Sequence, residues 1–251
     1  MRSRKCQTRA PPKRTAVVNH SPNRILASLS DEVFAALRPH LTMVEFKRGA
    51  VLVETGAPVT HSYFPHSGII SLVVELDVGE MVETAMVGRD GVLNAACALD
   101  GKLSLNKGIV QMAGVGSVIA ADQLAKIADE YREFLMLLIR HEQLVLAQAQ
   151  QSAACNASHL VEARMCRWML RVRDLAGSDD LTITQEFLAQ MLGVRRTSLS
   201  VVANSLQKAG YIRYKRGHVR ILDVEGLKKA ACECYGVVKR HYDRLLRSED
   251  N

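Results

Sequence analysis

From about residue 42 to 121, apolar and polar positions change over within short runs: "MVEF", "AVLVE", "HSYF", "GIISLVVEL", "MVETAMV" and "KGIVQMAG". Turn residues separate them, at Arg48-Gly49, Gly56-Ala57-Pro58, Ser67-Gly68, Asp77-Val78-Gly79 and Asp90-Gly91. Many short β-rich runs at close spacing predict an antiparallel sandwich or barrel with an aliphatic core. After Asp122 the period lengthens. Leu124, Tyr131, Leu138 and Val145 recur every seven residues, and Ala128, Leu135 and Ala149 mark a second row, with no proline or glycine before Gln151. Two such rows predict one long helix with a coiled-coil seam, made by Leu124, Tyr131, Leu135, Leu138 and Val145. Phe134, Leu137 and Leu144 widen the stripe, so it can face both a second chain and the β domain.

Helical periods continue to the end of the chain. Before the β-rich region, Ser30 is placed to cap a helix with Val33, Phe34 and Leu37 on one face. "HLVEARMCRWMLRVRDLAG" puts Val161, Met165, Trp168, Met169, Val172 and Leu175 on one stripe, flanked by Arg164, Arg167 and Arg171. In "LTITQEFLAQMLGVRRTSLSVVANSLQKAG", Thr182 and Gln185 fit a capping box. Phe187, Leu188, Met191 and Leu192 form an inner face, and Gly193 allows a sharp turn. Leu199, Val202, Ala203 and Leu206 then line one side of a second helix, leaving Thr197, Ser200, Val201, Asn204 and Lys208 outward. "YIRYKRGHVRILD" reads as two strands, 211–214 and 219–222, about a Lys215-Arg216-Gly217-His218 turn. "DVEGLKKAACECYGVVKRHYDRLL" reads as one further amphipathic helix, with Asp223 as cap.

Two short helices crossing at a tight turn, followed by a basic hairpin, have the form of a winged helix-turn-helix. Free N–H groups at a helix start attract phosphate, and Arg195 stands where a capping Ser or Asp would be usual. Arginine can read guanine and asparagine adenine through paired hydrogen bonds. The DNA-binding candidates are therefore Arg195, Arg196, Thr197, Ser198, Ser200, Val201, Asn204 and Lys208, with Lys215 and Arg216 of the wing on phosphates.

Charge agrees with this placement once it is divided along the chain. The net charge is +7 over 251 residues. Residues 1–22 hold six basic and no acidic side chains, 23–158 hold 10 basic and 15 acidic, and 159–222 hold 11 basic and 5 acidic. A basic module on an acidic body points to a polyanion at the module. No apolar run is long enough for a membrane span, and the N-terminus lacks a signal-peptide core, which implies a cytoplasmic protein. Six cysteines, at 6, 97, 155, 166, 232 and 234, show no Cys-x-x-Cys spacing. They read as free thiols with no metal expected, Cys232 and Cys234 pointing to different sides of a helix. No catalytic constellation appears, and an enzyme is not expected.

The order of parts and the run "ITQEFLAQMLGVRRTSLSVVANSLQKAGYIRYKRGHVRILD" resemble the catabolite-activator and fumarate/nitrate-regulator (Crp/Fnr) family of bacterial transcription factors. "EFKRGAVLVETGAPVTHSYFPHSGIISLVVE", with Tyr63, Phe64, Ser67 and Gly68, resembles the opening of a cyclic-nucleotide-binding roll. The resemblance implies an α+β chain: an N-terminal antiparallel β-roll, a long dimerisation helix and a C-terminal winged helix-turn-helix. The expected boundaries are a disordered basic tail at 1–22, a sensor roll at 23–121, the dimer helix at 122–157, the DNA-binding domain at 158–223 and a last helix at 224–251. It further implies a homodimer that binds double-stranded DNA and contacts RNA polymerase, with base-reaching roles for Arg196, Thr197 and Val201.

Members that bind cyclic nucleotides carry a Gly-Glu run and then an Arg-Ser or Arg-Thr pair. Here Val92 falls at the glutamate position, and Lys107-Gly108 replace the arginine pair. Lysine loses the bidentate fork, so the motif is degraded, with Asp90, Gly91, Val92 and Lys107 left as effector-pocket candidates. No cofactor is expected. A haem ligand at His141 or a thiol switch at Cys97, Cys155 or Cys166 has less support. The competing readings are a ligand-sensing roll whose helical end docks on protein, and a redox or metal-binding protein.

Overall fold

The structure, a computed structural model, describes residues 21–77 and 79–245. The tail expected over 1–22 therefore lies almost wholly outside the described residues, as does the end of the 224–251 segment. The chain enters through α1 (Arg24–Ala27) and α2 (Asp31–Leu37). Asn23 is fully buried; its side-chain oxygen accepts from the N–H groups of Ile25 and Leu26, and its amide donates to Pro65 and Gly91 carbonyls at 2.9 Å each. Ser30 caps α2 as its position predicts.

Seven strands follow: β1 (Thr42–Phe46), β2 (Val51–Val53), β3 (His61–Pro65), β4 (Ile69–Glu75), β5 (Met81–Val87), β6 (Lys107–Met112) and β7 (Gly114–Ala120). They pair antiparallel in two sheets, ordered β1-β7-β3 and β2-β6-β4-β5. Phe46, Val53, Ile70, Leu72, Val87 and Val110 pack within this β-roll. On β4 the alternate positions Ile69 and Val73, with Met86 of β5, instead join the core of the C-terminal domain. The sheet is thus apolar on both faces, which explains why "GIISLVVEL" shows a run rather than an alternation.

One continuous helix is expected from Asp122 onward, and the structure divides it. α3 (Ala121–Glu130) ends at Tyr131, in extended conformation at φ −115° and ψ 94°, and α4 (Arg132–Ser158) starts afresh. The break lets Leu124, Ile127 and Ala128 of α3 and Phe134 and Leu138 of α4 enter one core with Ile25, Leu26, Val33 and Leu37. Burying a side chain of this size stabilises by roughly 1.5–3 kcal/mol.

That core also takes up side chains expected to form the dimer seam. Leu124 and Leu138 are 0 % exposed in a single chain. Tyr131 and Leu135 pack on the same cluster, and Val145 packs on the roll. These five side chains face the chain's own domain. The outward row of α4 is Met136, Ile139, Gln143, Leu146 and Gln150, in which Leu146 is 59 % exposed. A stripe as wide as this one offers two rows, and the roll takes the row beside Phe134.

The C-terminal part comprises α5 (Val161–Ala176), β8 (Asp180–Thr182), α6 (Gln185–Met191), α7 (Arg196–Lys208), β9 (Ile212–Lys215), β10 (His218–Ile221), α8 (Val224–Ala230) and α9 (Cys234–Leu245). The last two replace the single helix expected after Asp223. The break at 231–233 folds α9 back along α4, where Gln148 donates to the Tyr242 hydroxyl at 3.1 Å and accepts from the Met86 N–H at 2.8 Å.

A candidate nucleic-acid interface

α5 is the platform for the basic module. Its apolar stripe is buried as expected, but Arg164 and Arg171, expected to flank it, are buried too. Arg164 donates to the carbonyl of Leu192 at the end of α6, fixing the turn that follows. Trp168, 1 % exposed, donates its indole N–H to Glu83 at 2.8 Å, and Ser71 donates to the other oxygen of that carboxylate at 2.6 Å. Burial pushes the Glu83 carboxyl up to about 7, against the pull of these donors and of Arg167 and Arg171.

α6 begins two residues later than the capping box predicts. Thr184, not Thr182, is the cap, accepting from the Phe187 N–H at 3.2 Å. Thr182 is instead paired to His218 in the three-stranded sheet β8-β10-β9. The wing therefore has one strand more than its own hairpin supplies. A short segment such as "DLT" carries too little alternation to be read as a strand.

Gly193 makes the turn, at φ 60°, with the Val82 side chain 3.2 Å from where a Cβ would stand. Both the conformation and the contact favour glycine. α7 then starts at Arg195, whose side chain makes no capping bond. Arg195, Arg196, Thr197 and Ser198 are exposed around that start, and Val201, Asn204 and Lys208 are exposed further along. Val201, 70 % exposed, is an apolar side chain left in water on the outer face. Leu199, Ala203 and Leu206 hold the inner face in the core.

Ser200 is the exception among the candidates. It is half-buried, and its hydroxyl donates to Gln185 at 2.9 Å and lies 3.0 Å from the Arg196 carbonyl. It ties α7 to α6. The wing is positioned just as firmly: Gln207 accepts from the Tyr214 N–H at 2.8 Å, and the Tyr214 hydroxyl donates to Ile183 at 2.7 Å. Lys215 and Arg216 are exposed at its tip, Arg216 at φ 50°. An exposed helix start and an exposed basic hairpin tip are thus both tied to one packed core.

Residues 163–230 match the family of Crp-like helix-turn-helix domains. The transcriptional regulator SdrP of Thermus thermophilus is 26 % identical over 196 residues, covering 75 % of this chain and 93 % of that regulator. Among solved structures, FixK2 from Bradyrhizobium japonicum superposes with a TM-score of 0.66 at 14 % identity, over 76 % of this chain and 98 % of that one. TTHA1359 of Thermus thermophilus, a regulator of the CRP/FNR family, does so with a TM-score of 0.63 at 23 % identity over the same shares. Residues 163–230 are thus a Crp-like helix-turn-helix domain, and over three quarters of its length the chain is similar to regulators of the Crp/Fnr family.

It is a Crp/Fnr-type transcription regulator, with a helix-turn-helix DNA-binding domain on a cyclic-nucleotide-binding-like fold; SdrP and TTHA1359 are regulators rather than enzymes. Among the described residues, no helix is long and apolar enough to cross a membrane.

In the N-terminal half of the chain, the four effector candidates do not converge. Asp90 is 3 % exposed and pairs with Arg171 of α5 at 2.7 Å. Gly91 leaves room for His141, whose Nε2 would stand 2.7 Å from a Cβ there. Val92 is buried, and its N–H donates to the same nitrogen at 3.2 Å. Lys107 lies on the outside of the roll, bridging Glu75 at 3.0 Å and Glu54 at 3.4 Å. Only Val92 reaches the cavity of about 160 Å³ between the roll and α4, where Leu72, Val87, Leu93, Val145 and Glu142 also line the wall. Burial pushes the Glu142 carboxyl up to about 7.

His141 is fully buried within one chain and held by Val92, and burial lowers it to about 4. Cys97 and Cys166 are kept protonated by burial, Cys166 up to about 12. Burial raises the Cys155 thiol as well, but its neighbours differ. It meets His159, Cys232 and Cys234, a grouping that linear spacing conceals because the ligands come from two distant segments.

Proposed function

We propose that the chain is a sequence-specific DNA-binding regulator that acts as a homodimer. The observation carrying this reading is the start of α7, which has no side-chain cap and whose residues Arg195, Arg196, Thr197 and Ser198 are exposed, in a module that also exposes Lys215 and Arg216. Unpaired N–H groups with a positive dipole end receive a phosphate, and the side chains above them reach base edges in the major groove. Arg196 and Asn204 carry the hydrogen-bonded readout, while Val201 offers an apolar contact suited to a thymine methyl. Ser200 holds the helix in place rather than touching DNA.

The division of labour follows the expected boundaries: the roll of 23–121 as sensor, the helix of 122–157 as seam and 158–223 as DNA-binding domain. The second chain packs on the outward row of α4, Met136, Ile139, Gln143, Leu146 and Gln150, whose alternating spacing of three and four is that of a coiled-coil face. Two copies then bind half-sites about one helical turn apart. The dispersed candidates Asp90, Gly91, Val92 and Lys107, each engaged within the fold, support a roll that has lost cyclic-nucleotide binding. A cytoplasmic site and contact with RNA polymerase follow from the family.

The test is selection of bound sequences from a random DNA pool by the purified protein, repeated with Arg196→Ala and Asn204→Ala. An enriched palindrome whose preferences relax in the variants is expected. No enrichment, together with salt-insensitive retention of a protein partner, would return the basic module to protein docking.

A further inference from the structure

Cys155 lies in the last turn of α4 and His159 is the extended residue that ends it, its N–H donating to the Cys155 carbonyl. Cys232 lies in the 231–233 break, and Cys234 is the first residue of α9. The expectation that Cys232 and Cys234 diverge assumes one helix through both; the break removes that helix and turns both thiols to α4. The Cys155 and Cys232 sulfurs are 3.5 Å apart, Cys234 Sγ lies 3.6 Å from His159 Nδ1, and all four donor atoms fall within 4.8 Å of one another.

We propose that Cys155, His159, Cys232 and Cys234 bind one Zn²⁺ ion in a tetrahedral site that staples the end of α4 to the corner between α8 and α9. Zinc–sulfur bonds of about 2.3 Å and a zinc–nitrogen bond of about 2.0 Å imply donor–donor edges of roughly 3.5–3.8 Å. The two closest pairs already stand at that spacing. Four donors this close surround a single ion rather than a cluster, and three soft thiolates with one imidazole favour zinc over calcium or magnesium.

The surroundings are those of a metal centre. His159 presents Nδ1 to the thiols while its Nε2 lies 3.4 Å from Glu233, the carboxylate–histidine pairing that orients a ligating imidazole. Gln151 donates to Cys234 Sγ at 3.0 Å, a bond that favours thiolate. Arg164 and Arg167 lie near the thiols, have buried Nε groups without hydrogen-bond partners, and form no salt bridge among the described residues. Three thiolates around Zn²⁺ leave one negative charge, which these guanidiniums balance. Binding releases the three thiol protons to solvent. The site spans Leu160, where the chain passes from α4 to the DNA-binding domain, so the ion fixes the angle between seam and reading head.

The full chain, purified without an affinity tag in chelator-washed buffers, should carry about one zinc per chain by mass spectrometry of the metal. Cys232→Ser and Cys234→Ser should reduce that to background, whereas Cys97→Ser should not. Without recourse to variants, removing the ion from the wild type with a chelator should unmask three further reactive thiols. Co²⁺ should then restore protection, with thiolate charge-transfer absorption and the intense visible bands of a tetrahedral ion. Zinc retained in both serine variants would overturn the assignment. So would a protein that is zinc-free as purified and takes up Co²⁺ without those bands, or a Cys155–Cys232 disulfide in protein kept under reductant.

Discussion

The two halves of this regulator treat their charged residues in opposite ways. In the DNA-binding half, Arg195, Arg196, Lys208, Lys215 and Arg216 are exposed, and none forms a salt bridge among the described residues. In the N-terminal half, the charged candidates are already engaged: Asp90 by Arg171, and Lys107 by Glu54 and Glu75. A cation kept free at the surface can exchange counterions for phosphates. A charge paired within the fold must break that pair before it can meet a ligand. The cations of the DNA-binding half are thus free to meet a partner, whereas Asp90 and Lys107 are held by partners within the fold.

The largest effect tests the sensor side. Asp90→Ala should destabilise the protein by about 3–5 kcal/mol, because it strands the buried Arg171 charge. Thermal or urea unfolding measures this, and a variant of unchanged stability would reopen Asp90 as a ligand. Next is Glu83, whose carboxyl in the fold, at about 7, lies above its unfolded value. The native state therefore binds more protons than the unfolded one. Its contribution is complete below about pH 4.5 and is lost as pH rises towards 7. Glu83→Gln should remove this slope and gain up to ~3 kcal/mol near neutral pH, seen in urea midpoints of both proteins across that range.

On the DNA side, Arg196→Ala should weaken binding by about 1–3 kcal/mol, or roughly 5- to 150-fold, and relax the preference at one base position. Fluorescence anisotropy on a selected site and its single-base variants reads both. The smallest effect belongs to the wing. Lys215→Ala should weaken all sequences alike and flatten the plot of log affinity against log salt by about one unit. A sequence-selective loss there would give the wing a reading role.

The helix-turn-helix was the most legible part, since Leu199, Ala203 and Leu206 on one side and Thr197, Val201 and Asn204 on the other follow from helical periodicity alone. The order of roll, helix and winged domain was legible for the same reason. Sequence and structure part where two solutions share one pattern. The stripe on α4 carries two rows, and its packing with α1 and α2 through Phe134 buries much of the row expected as the seam within the chain itself. The Tyr131 break contains neither proline nor glycine, so no local signal announces it. β8 is three residues long and exists because β10 offers an edge. The cysteine cluster escaped because Cys155 and Cys232 are 77 positions apart in the chain and meet only through the return of α9.

The most direct measurement is the affinity of the selected operator for the purified protein, with and without saturating cyclic AMP or cyclic GMP, paired with calorimetric titration of each nucleotide. The account predicts the same operator affinity in every condition and no heat of nucleotide binding. Nucleotide binding accompanied by a gain in operator affinity would contradict it, and would show that the closed roll can still open to a ligand.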